Sequence, residues 1–476
     1  MNQDNHVALS SDISQLVAAA QQQFQKNNYQ VGLIILERIF SLQTEFDEDL
    51  CLSIIELSAD NFFLLTAEKY LQKLLAQKNI KRLVRFKAYL TLSRLGQFFA
   101  DEKKMVDALH QAYRLCDKNH QAELAMYHRR SYHVALHRIK KSASADTIKQ
   151  SFANLEWRKN LNWQTSFVEH DYHKTIPLWD GNPLHPDQTL LVSFEQGFGD
   201  AIQFCRFIKI IYPRATRILF EVRSEMLNLF ASQFNTDWSN EDDNKKNEAD
   251  ILVFPYGCYD QAINMPRVKH LKLKATARVF LLSLPYLLGV DKPNHQPYFS
   301  FEKLFGKHIA PPKPTSSKKI GLVWSCGTDS HAQDRSIDLK NFLPLLSLPQ
   351  YQFFSLQMPP QNQDIAAYGF SALITDLSPH IKNFDDTAKI IYQLDAMVSI
   401  DTAIAHLVAS FGKKIFLLLP FTSDWRWAGI PSGEPSFWYD KNFFPFHYPT
   451  FHHSKIMTRW YEVIKNMTKT LQHEVV

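Results

Sequence analysis

The chain carries no proline over residues 12–139, a stretch long enough to form a whole domain. Proline breaks helices because it lacks a backbone N–H and clashes with the preceding turn, so its absence permits one helix after another. Apolar residues recur there at spacings of three and four, as in Val31, Ile34, Ile35 and Ile39. This is the pattern of amphipathic helices, and we predict an all-helical N-terminal region.

The helical region also repeats weakly along the chain. Three segments align as the second helix of a helical pair, and they begin 34 and 39 residues apart: Tyr29–Gln43, Phe63–Gln77 and Glu102–Cys116. Their upstream partners would be Leu16–Gln25, Leu50–Ser58 and Val84–Leu95. This period is typical of tetratricopeptide repeats, so residues 1–145 are predicted to form a tetratricopeptide-like domain. Such arrays bind peptides or partner proteins on a concave face, and the alternative is a structural cap on an enzyme.

From Gln188 onward, short apolar strands alternate with helices. The predicted strands are Thr189–Phe194, Arg217–Val222, Ala249–Phe254, Lys319–Ser325, Gln352–Gln357, Ala372–Ile374, Ala396–Ile400 and Ile415–Leu419. The predicted helices are Asp200–Ile211, Ser224–Ser232, Leu339–Ser347, Phe384–Leu394, Thr402–Phe411 and a closing helix, Ser454–Leu471. Such alternation predicts parallel, doubly wound sheets.

A proline-, serine- and lysine-rich stretch, Lys307–Lys319, divides the alternating region and has the composition of a linker. We therefore predict two Rossmann-like domains, at 146–310 and 311–476. Ligands in such folds bind at the carboxyl ends of the strands, which predicts a cleft between two sheet edges.

The loop after the first strand is one candidate for chemistry. Gly197 and Gly199 allow a sharp turn and close approach of a ligand, and Asp200 follows where a helix begins. Asp200 is then either a helix N-cap or a general base for an acceptor nucleophile.

A second candidate follows the strand Ala396–Ile400. Asp401 and Thr402 stand where a helix begins, and free N–H groups with the positive end of a helix dipole suit a phosphate. His406 lies one turn further, near the same face. The alternative is a capped helix with a packed histidine.

Polar residues also follow the first strand of the second set. After Ser325 and Gly327 comes Arg335, which would clamp a diphosphate with two parallel hydrogen bonds, or would be an ordinary surface arginine. Trp425 and Trp427 follow the last strand, where they would stack on a nucleobase or cover the sheet edge.

Ten motifs, which include the candidates above, follow one another along the chain. They are Glu156-Trp157-Arg158, Pro177–Gly181, Glu195–Asp200 with Gln203-Phe204, Ser283–Pro285, Gly321–Trp324, Arg335-Ser336, Ser355–Gln357, Asp385–Ala388, Asp401–Ala403 with His406, and Asp424–Trp427 with Trp438-Tyr439. From about Leu155 to Phe444 the chain resembles the bacterial tetratricopeptide-repeat glycosyltransferases. These are relatives of the ADP-heptose heptosyltransferases (glycosyltransferase family 9) and, more distantly, of the O-GlcNAc transferase group.

The resemblance implies the two-domain GT-B fold and transfer of a sugar from a nucleotide-sugar, without a metal and with inversion. No cofactor is expected, because the nucleotide-sugar is a co-substrate. Asp200 would be the catalytic base. The implied donor-binding residues are Ser325, Gly327, Arg335, Ser336, Gln357, Asp401, Thr402, Ala403, His406 and Trp425. The implied acceptor-side residues are Gln196, Gly197, Gly199 and Gln203.

Composition limits the classes of partner and the cellular compartment that we expect. The net charge of +5 comes without a long basic block, so a dedicated nucleic-acid binder is not expected. Five cysteines lie far apart without metal-ligand spacing, which favours reduced thiols in a cytoplasmic protein. The N-terminal sequence lacks a secretory signal pattern, and no apolar window is long enough to span a bilayer.

Three functions remain open from the sequence. The first is a protein glycosyltransferase whose repeats recognise a polypeptide such as flagellin, pilin or an adhesin. The second is a transferase acting on a lipopolysaccharide or surface-glycan precursor, and the third is a catalytically silent scaffold. ADP-heptose, UDP-linked hexoses and CMP-linked nonulosonic acids all stay possible as donors.

Overall fold

A computed structural model gives the three-dimensional structure of the chain. It describes residues 15–24, 26, 28–42, 47–60, 63–99, 101–139, 145–160, 170–235, 249–269, 273–291, 294–306, 317–326, 335–420, 423, 427, 432, 436, 438–448 and 456–475. The chain divides into two compact units, Met1–Arg138 with Thr450–Ser454, and Ile139–Pro449 with Lys455–Val476.

The first unit is helical, as predicted. Its helices are α1 (residues 15–24), α2 (Tyr29–Leu42), α3 (Glu48–Asp60), α4 (Leu64–Ala76), α5 (Arg82–Phe98), α6 (Glu102–Leu115) and α7 (Gln121–Ile139). Consecutive helices α3 and α4, and α5 and α6, pack against each other over apolar faces. The tetratricopeptide label stays a prediction.

The second unit contains two parallel sheets. The first has the order β3-β2-β1-β4 and the second has the order β10-β9-β8-β5-β6-β7. The strands are β1 (Thr189–Ser193), β2 (Arg217–Val222), β3 (Asp250–Pro255), β4 (Ala275–Phe280), β5 (Lys318–Val323), β6 (Tyr351–Ser355), β7 (Ile374–Asp376), β8 (Ala396–Ile400), β9 (Lys414–Leu419) and β10 (Phe443–His447). The predicted boundaries at 145/146 and 310/311 stay a prediction, since both sheets belong to one compact unit.

The order of the strands fixes where a ligand is expected. In the first sheet the chain runs outward from β1 through β2 to β3 and then returns to β4 on the other side of β1. In the second it runs from β5 outward to β7 and returns at β8. Open α/β sheets form a crevice at such reversal points, so the carboxyl ends of β1, β5 and β8 are the positions of interest.

The remaining helices of the second unit are mostly short. They are α8 (Ala145–Leu155), α9 (Asp171–Thr175), α10 (Phe198–Phe204), α11 (Leu227–Phe234), α12 (Tyr259–Ile263), α13 (Pro266–Lys269), α14 (Leu284–Leu287), α15 (Phe301–Phe305), α16 (Leu343–Leu346), α17 (Asp364–Ala367), α18 (Phe384–Gln393), α19 (Ala403–Ser410) and α20 (Ile456–Glu474). Single 3-10 turns lie at Glu156–Asn160, Cys205–Ile210, Ser224–Met226, Leu281–Ser283, Leu339–Phe342, Gln361–Gln363, Phe370–Ala372 and Ser378–His380. Within the described residues, no helix is both long and apolar enough to cross a membrane.

Two strands escaped the sequence prediction. Strand β4 contains two alanines and an arginine, which gives a weak β signal. Strand β10 contains Pro445, which pairs in register with Leu417. Proline is tolerated there because β10 lies at the edge of its sheet and needs no outward-facing N–H.

Several predicted boundaries were also wrong. Helix α10 begins at Phe198, two residues before Asp200, and gives way to a 3-10 turn at Cys205. Strand β5 begins at Lys318, inside the predicted linker, of which residues 307–316 lie outside the described part.

Candidate functional site

The loop after β1 begins with a constrained residue. Gln196 has a φ of 62°, in the left-handed region that side chains other than glycine rarely occupy. Such conformations persist where the surroundings enforce them, and they cluster at functional sites. Gly197 follows and is exposed, and the third residue of α10 is Asp200.

The carboxylate of Asp200 folds back on this loop. Its Oδ2 atom accepts a hydrogen bond of 3.0 Å from the Gly197 N–H. Asp200 therefore lies in the first turn of α10 rather than at its N-cap, where Gly197 stands. A negative charge in the first turn is favourable because free N–H groups and the helix dipole are positive there. The carboxylate is thus fixed in direction and half-exposed.

A buried ion pair anchors the same loop from below. Glu195 accepts from Arg158 at both carboxylate oxygens, at 2.9 Å from Nε and 2.5 Å from the terminal nitrogen. The same guanidinium donates to Ser283 Oγ at 2.9 Å, and the Leu282 N–H donates to Glu195 at 3.0 Å. Burial alone would lower the pKa of Arg158, but the carboxylates of Glu195 and Glu156 raise it, so it stays charged.

This ion pair explains three of the sequence motifs. Glu156-Trp157-Arg158, Glu195 and Ser283–Pro285 are far apart in the chain and meet directly behind Gln196. These motifs were visible in the sequence, but no role could be predicted for them. The partners of a buried ion pair are distant in the chain, so no short segment shows that they interact.

On the second sheet, β8 ends at Ile400 and α19 begins at Ala403. Asp401 between them is nearly buried. Thr402 is the N-cap, yet its side chain makes no hydrogen bond to the first turn. Its hydroxyl lies instead 3.4 Å from Ser399 Oγ. The start of α19 is thus not capped by Thr402, which suits an anionic ligand.

The ends of β5 and β6 meet at this place. Gln357 is buried, and its Oε1 accepts from the N–H groups of Trp324 and Ser325 at 3.2 and 2.9 Å. Ser336 Oγ accepts from the Cys326 N–H at 3.2 Å and lies 3.1 Å from Ser325 Oγ. The predicted residues Ser325, Ser336 and Gln357 are therefore neighbours. Gly327 lies outside the described residues.

Arg335 connects this group to β8. One of its terminal nitrogens donates to the backbone carbonyl of Asp401 at 3.2 Å. The guanidinium therefore lies beside the start of α19, as the clamp hypothesis requires. An arginine with a planar, multi-donor head here can bind a diphosphate in two-point fashion.

His406 joins the two sheets. It lies on α19, is 4% exposed, and contacts Gly199 of α10 so closely that a Cβ on Gly199 would lie 2.9 Å from its Cδ2 atom. Its Nδ1 lies 2.6 Å from the hydroxyl of Tyr439, and its ring stacks on Trp427 at 5.4 Å between centroids. The starts of α10 and α19 are thereby brought together.

Three other predicted residues are either buried or outside the described part of the chain. Trp427 is fully buried and stacks on His406, so its ring is not exposed to stack on a nucleobase. Trp425 lies outside the described residues. Gln203 is fully buried on α10, so its side chain is not on an open surface. Its backbone carbonyl accepts from Arg206 Nε at 2.8 Å.

Sequence reasoning missed two residues behind His406. Tyr439 is buried and was noted only as part of a motif. The Arg206 guanidinium stacks over the rings of Tyr298 and Tyr439 at 4.5 and 4.8 Å and donates to the carbonyl of Trp438 at 2.5 Å. The aromatic pair Trp438-Tyr439 was the one available signal for this contact.

Comparisons with known proteins give the following. No protein-family model and no curated protein matches the chain. Solved structures similar to it include the glycosyl transferase family 9 from Veillonella parvula, at 9% identity over 62% of this chain and 99% of that one, with a TM-score of 0.38. The E. coli heptosyltransferase WaaC with ADP-2-deoxy-2-fluoro heptose matches at 12% identity over 61% and 100%, with a TM-score of 0.38. A Thermobaculum terrenum O-GlcNAc transferase mutant matches at 9% identity over 98% and 92%, with a TM-score of 0.29.

Proposed function

We propose that the chain is a glycosyltransferase that moves a sugar from a nucleotide-sugar donor to an acceptor. One observation carries the proposal. The Asp200 turn at the end of β1 and the Asp401–His406 segment at the end of β8 meet through Gly199 and His406. A carboxylate and the start of α19, which Thr402 does not cap, are thus neighbours at the reversal points of two sheets, as a two-substrate transfer needs.

The donor's diphosphate would bind at the start of α19. The backbone N–H groups of Ala403 and its successors and the positive end of the helix dipole attract phosphate oxygens. Arg335 beside Asp401 supplies a full positive charge. Ser325 and Ser336 supply hydroxyl groups close by.

Asp200 would be the base that takes the proton from the attacking hydroxyl or amide of the acceptor. Its carboxylate is half-exposed and is held in direction by the Gly197 N–H. A positioned carboxylate next to the sugar is suited to a single-displacement reaction, which inverts the anomeric centre.

We further propose that transfer needs no bound metal. The leaving nucleoside diphosphate gains negative charge as the glycosidic bond breaks, and Arg335 with the start of α19 can neutralise it. This role is electrostatic and requires fixed positive groups, which the site has.

The proposed acceptor is a polypeptide bound by the helical unit. The support is that helices α3 and α4, and α5 and α6, pack against each other in consecutive pairs. Helix pairs are also the units of peptide-binding repeat arrays. The proposed compartment is the cytoplasm, in keeping with five cysteines that are all free thiols.

Nucleotide binding tests the proposal first. Calorimetry and thermal shift against ADP, UDP, GDP and CMP are run on the wild type and on Arg335→Met, which keeps length but removes charge. A nucleotide at 100 times its dissociation constant stabilises the fold by about 2.7 kcal/mol. One nucleotide is expected to bind, and Arg335→Met is expected to weaken the diphosphate more than the matching monophosphate.

The acceptor needs a separate experiment. The wild type with the nucleotide-sugar so identified is offered polypeptides and lipopolysaccharide core in parallel, and products are read by mass spectrometry. Sugar on the glycan alone would overturn the polypeptide acceptor. Binding of no nucleotide at all would overturn the transferase proposal.

A further inference from the structure

The hydrogen bond between Tyr439 and His406 bears on which nitrogen of His406 carries a hydrogen. Neutral imidazole has one N–H, so the nitrogen that accepts a hydrogen bond leaves the other as the donor. The Tyr439 hydroxyl lies 2.6 Å from Nδ1, and the edge with Cδ2 and Nε2 faces Gly199. Whether Nδ1 carries a hydrogen therefore decides whether Nε2 can donate or accept a hydrogen bond on the side that faces Gly199.

The ring of His406 has little freedom to turn over. Trp427 stacks on it at 5.4 Å with an angle of 27° between the planes. On the α10 side, a Cβ on Gly199 would be 2.9 Å from Cδ2 and 3.4 Å from Nε2. A ring flip, which exchanges Nδ1 with Cδ2 and Nε2 with Cε1, would require these neighbours to separate.

A nearby cation favours the Tyr439 hydroxyl as the donor of this hydrogen bond. The Arg206 guanidinium lies 4.8 Å from the centre of the Tyr439 ring and is itself held by the backbone carbonyls of Trp438 and Gln203. A fixed positive charge beside a phenol stabilises electron density on its oxygen, so the O–H becomes a stronger donor. The charge of Arg206 therefore favours donation from the hydroxyl to Nδ1 over the reverse direction.

We propose that Tyr439 is a positioning residue that holds His406 with its hydrogen on Nε2. His406 then acts as a neutral hydrogen-bond donor on the α10 side and not as a base, which leaves the base role to Asp200. The part of this inference that concerns substrate rests on the proposed function, whereas the position of the hydrogen does not.

The hydrogen is located directly by NMR of protein labelled with ¹⁵N in the histidine rings. The His406 signals are assigned by their loss in His406→Gln. The wild type is expected to show the Nε2–H pattern, and Tyr439→Phe, which removes only the hydroxyl, is expected to show a mixture of the two forms.

Tyr298→Phe is the matched control. It removes a phenol hydroxyl that donates to the Ile202 carbonyl and also contacts Arg206, but not His406. It is expected to leave the His406 pattern unchanged. An Nδ1–H pattern in the wild type, or an unchanged pattern in Tyr439→Phe, overturns the proposal.

The substrate side is tested by two replacements of His406. Glutamine places its amide near the former Nε2, and asparagine places it near the former Nδ1. For the nucleotide identified above, His406→Asn is expected to weaken binding roughly three- to tenfold more than His406→Gln. Equal losses or the reverse order overturn the donor role. If the wild type binds no nucleotide, the proposed function fails, while the NMR result still decides the tautomer.

Discussion

Gly199 and His406 touch across the two parallel sheets, and the contact leaves no room for a side chain on Gly199. A Cβ there would lie 2.9 Å from Cδ2 and 3.4 Å from Nε2 of His406. Gly199 does not have a positive φ, so its own backbone does not demand glycine. Glycine is required at this position because His406, more than two hundred positions later in the chain, occupies the space of a Cβ. The contact places the Asp200 turn next to the start of α19.

Gly199→Ala is expected to lower the free energy of unfolding by about 1–3 kcal/mol, because the methyl group overlaps a ring held by Trp427 and Tyr439. Denaturant unfolding measures this cost. In a His406→Ala background the overlap disappears, so the same substitution should then cost much less. Equal costs in both backgrounds would show that the contact is not the constraint.

Asp200→Asn is expected to reduce the rate of sugar transfer by about 10²–10⁴-fold, since the amide cannot accept the acceptor's proton. Nucleotide affinity should change little, and so should stability, because the Asn oxygen still accepts from the Gly197 N–H. Single-turnover transfer and nucleotide calorimetry on one preparation separate these effects. Loss of nucleotide binding together with rate would argue for a structural role.

Arg158→Met is expected to destabilise the second unit by about 3–5 kcal/mol, because it leaves the buried Glu195 carboxylate without its cation. Adding Glu195→Leu should recover part of the loss. Lys159→Gln breaks a more exposed pair with Glu156 and should cost less than about 1 kcal/mol. Chemical unfolding followed by tryptophan fluorescence reports on this unit, since all nine tryptophans lie from Trp157 onward.

Acid is expected to weaken the helical unit through Glu123. Hydrogen bonds from Arg82 and from the Asp117 N–H lower the pKa of this carboxyl from 4.5 to about 2. A lowered folded-state pKa gives stability that is complete above pH 4.5 and is lost as the pH falls toward 2. The protection factors of α5 and α7 amides in the full chain, which are exchange rates corrected for the intrinsic pH dependence, should therefore fall over this range.

Glu123→Gln is the control for that prediction. The amide keeps the shape and an acceptor oxygen but does not titrate. At pH 6 the protection factors of α5 and α7 in this variant should be lower than in the wild type, and their further fall below pH 4.5 should be smaller. An undiminished acid effect would place its origin in other carboxylates.

Local patterns in the sequence located most elements of the second unit. Strands β2 and β8 have the predicted bounds, because both are buried apolar runs closed by polar residues. Strands β4 and β10 were not predicted because neither is a simple apolar run. Strand β4 contains alanines and an arginine, and β10 contains Pro445. Such residues suit strands at the edge of a sheet, and an edge is defined only once the neighbouring strands are in place.

Part of the candidate site could also be predicted from the sequence. Polar residues follow β1, β5 and β8, and the carboxyl ends of these strands were predicted to border one cleft. In the structure Ser325 lies beside Ser336, and Arg335 donates to the Asp401 carbonyl. Buried Gln203 and Trp427 show the limit of the method, because nothing in a motif states which way a side chain points.

The sequence by itself determined the helical first unit, the strand–helix alternation of the second and the polar residues at the strand ends. Each of these depends on residues close together in the chain, whose periodicity and turn chemistry act locally. Only the tertiary structure decided that Arg158 reaches Glu195 and Ser283, 37 and 125 positions away, and that Gly199 meets His406. Such contacts depend on how whole sheets pack, and the free energy that selects them is summed over many buried side chains, so no short segment encodes them.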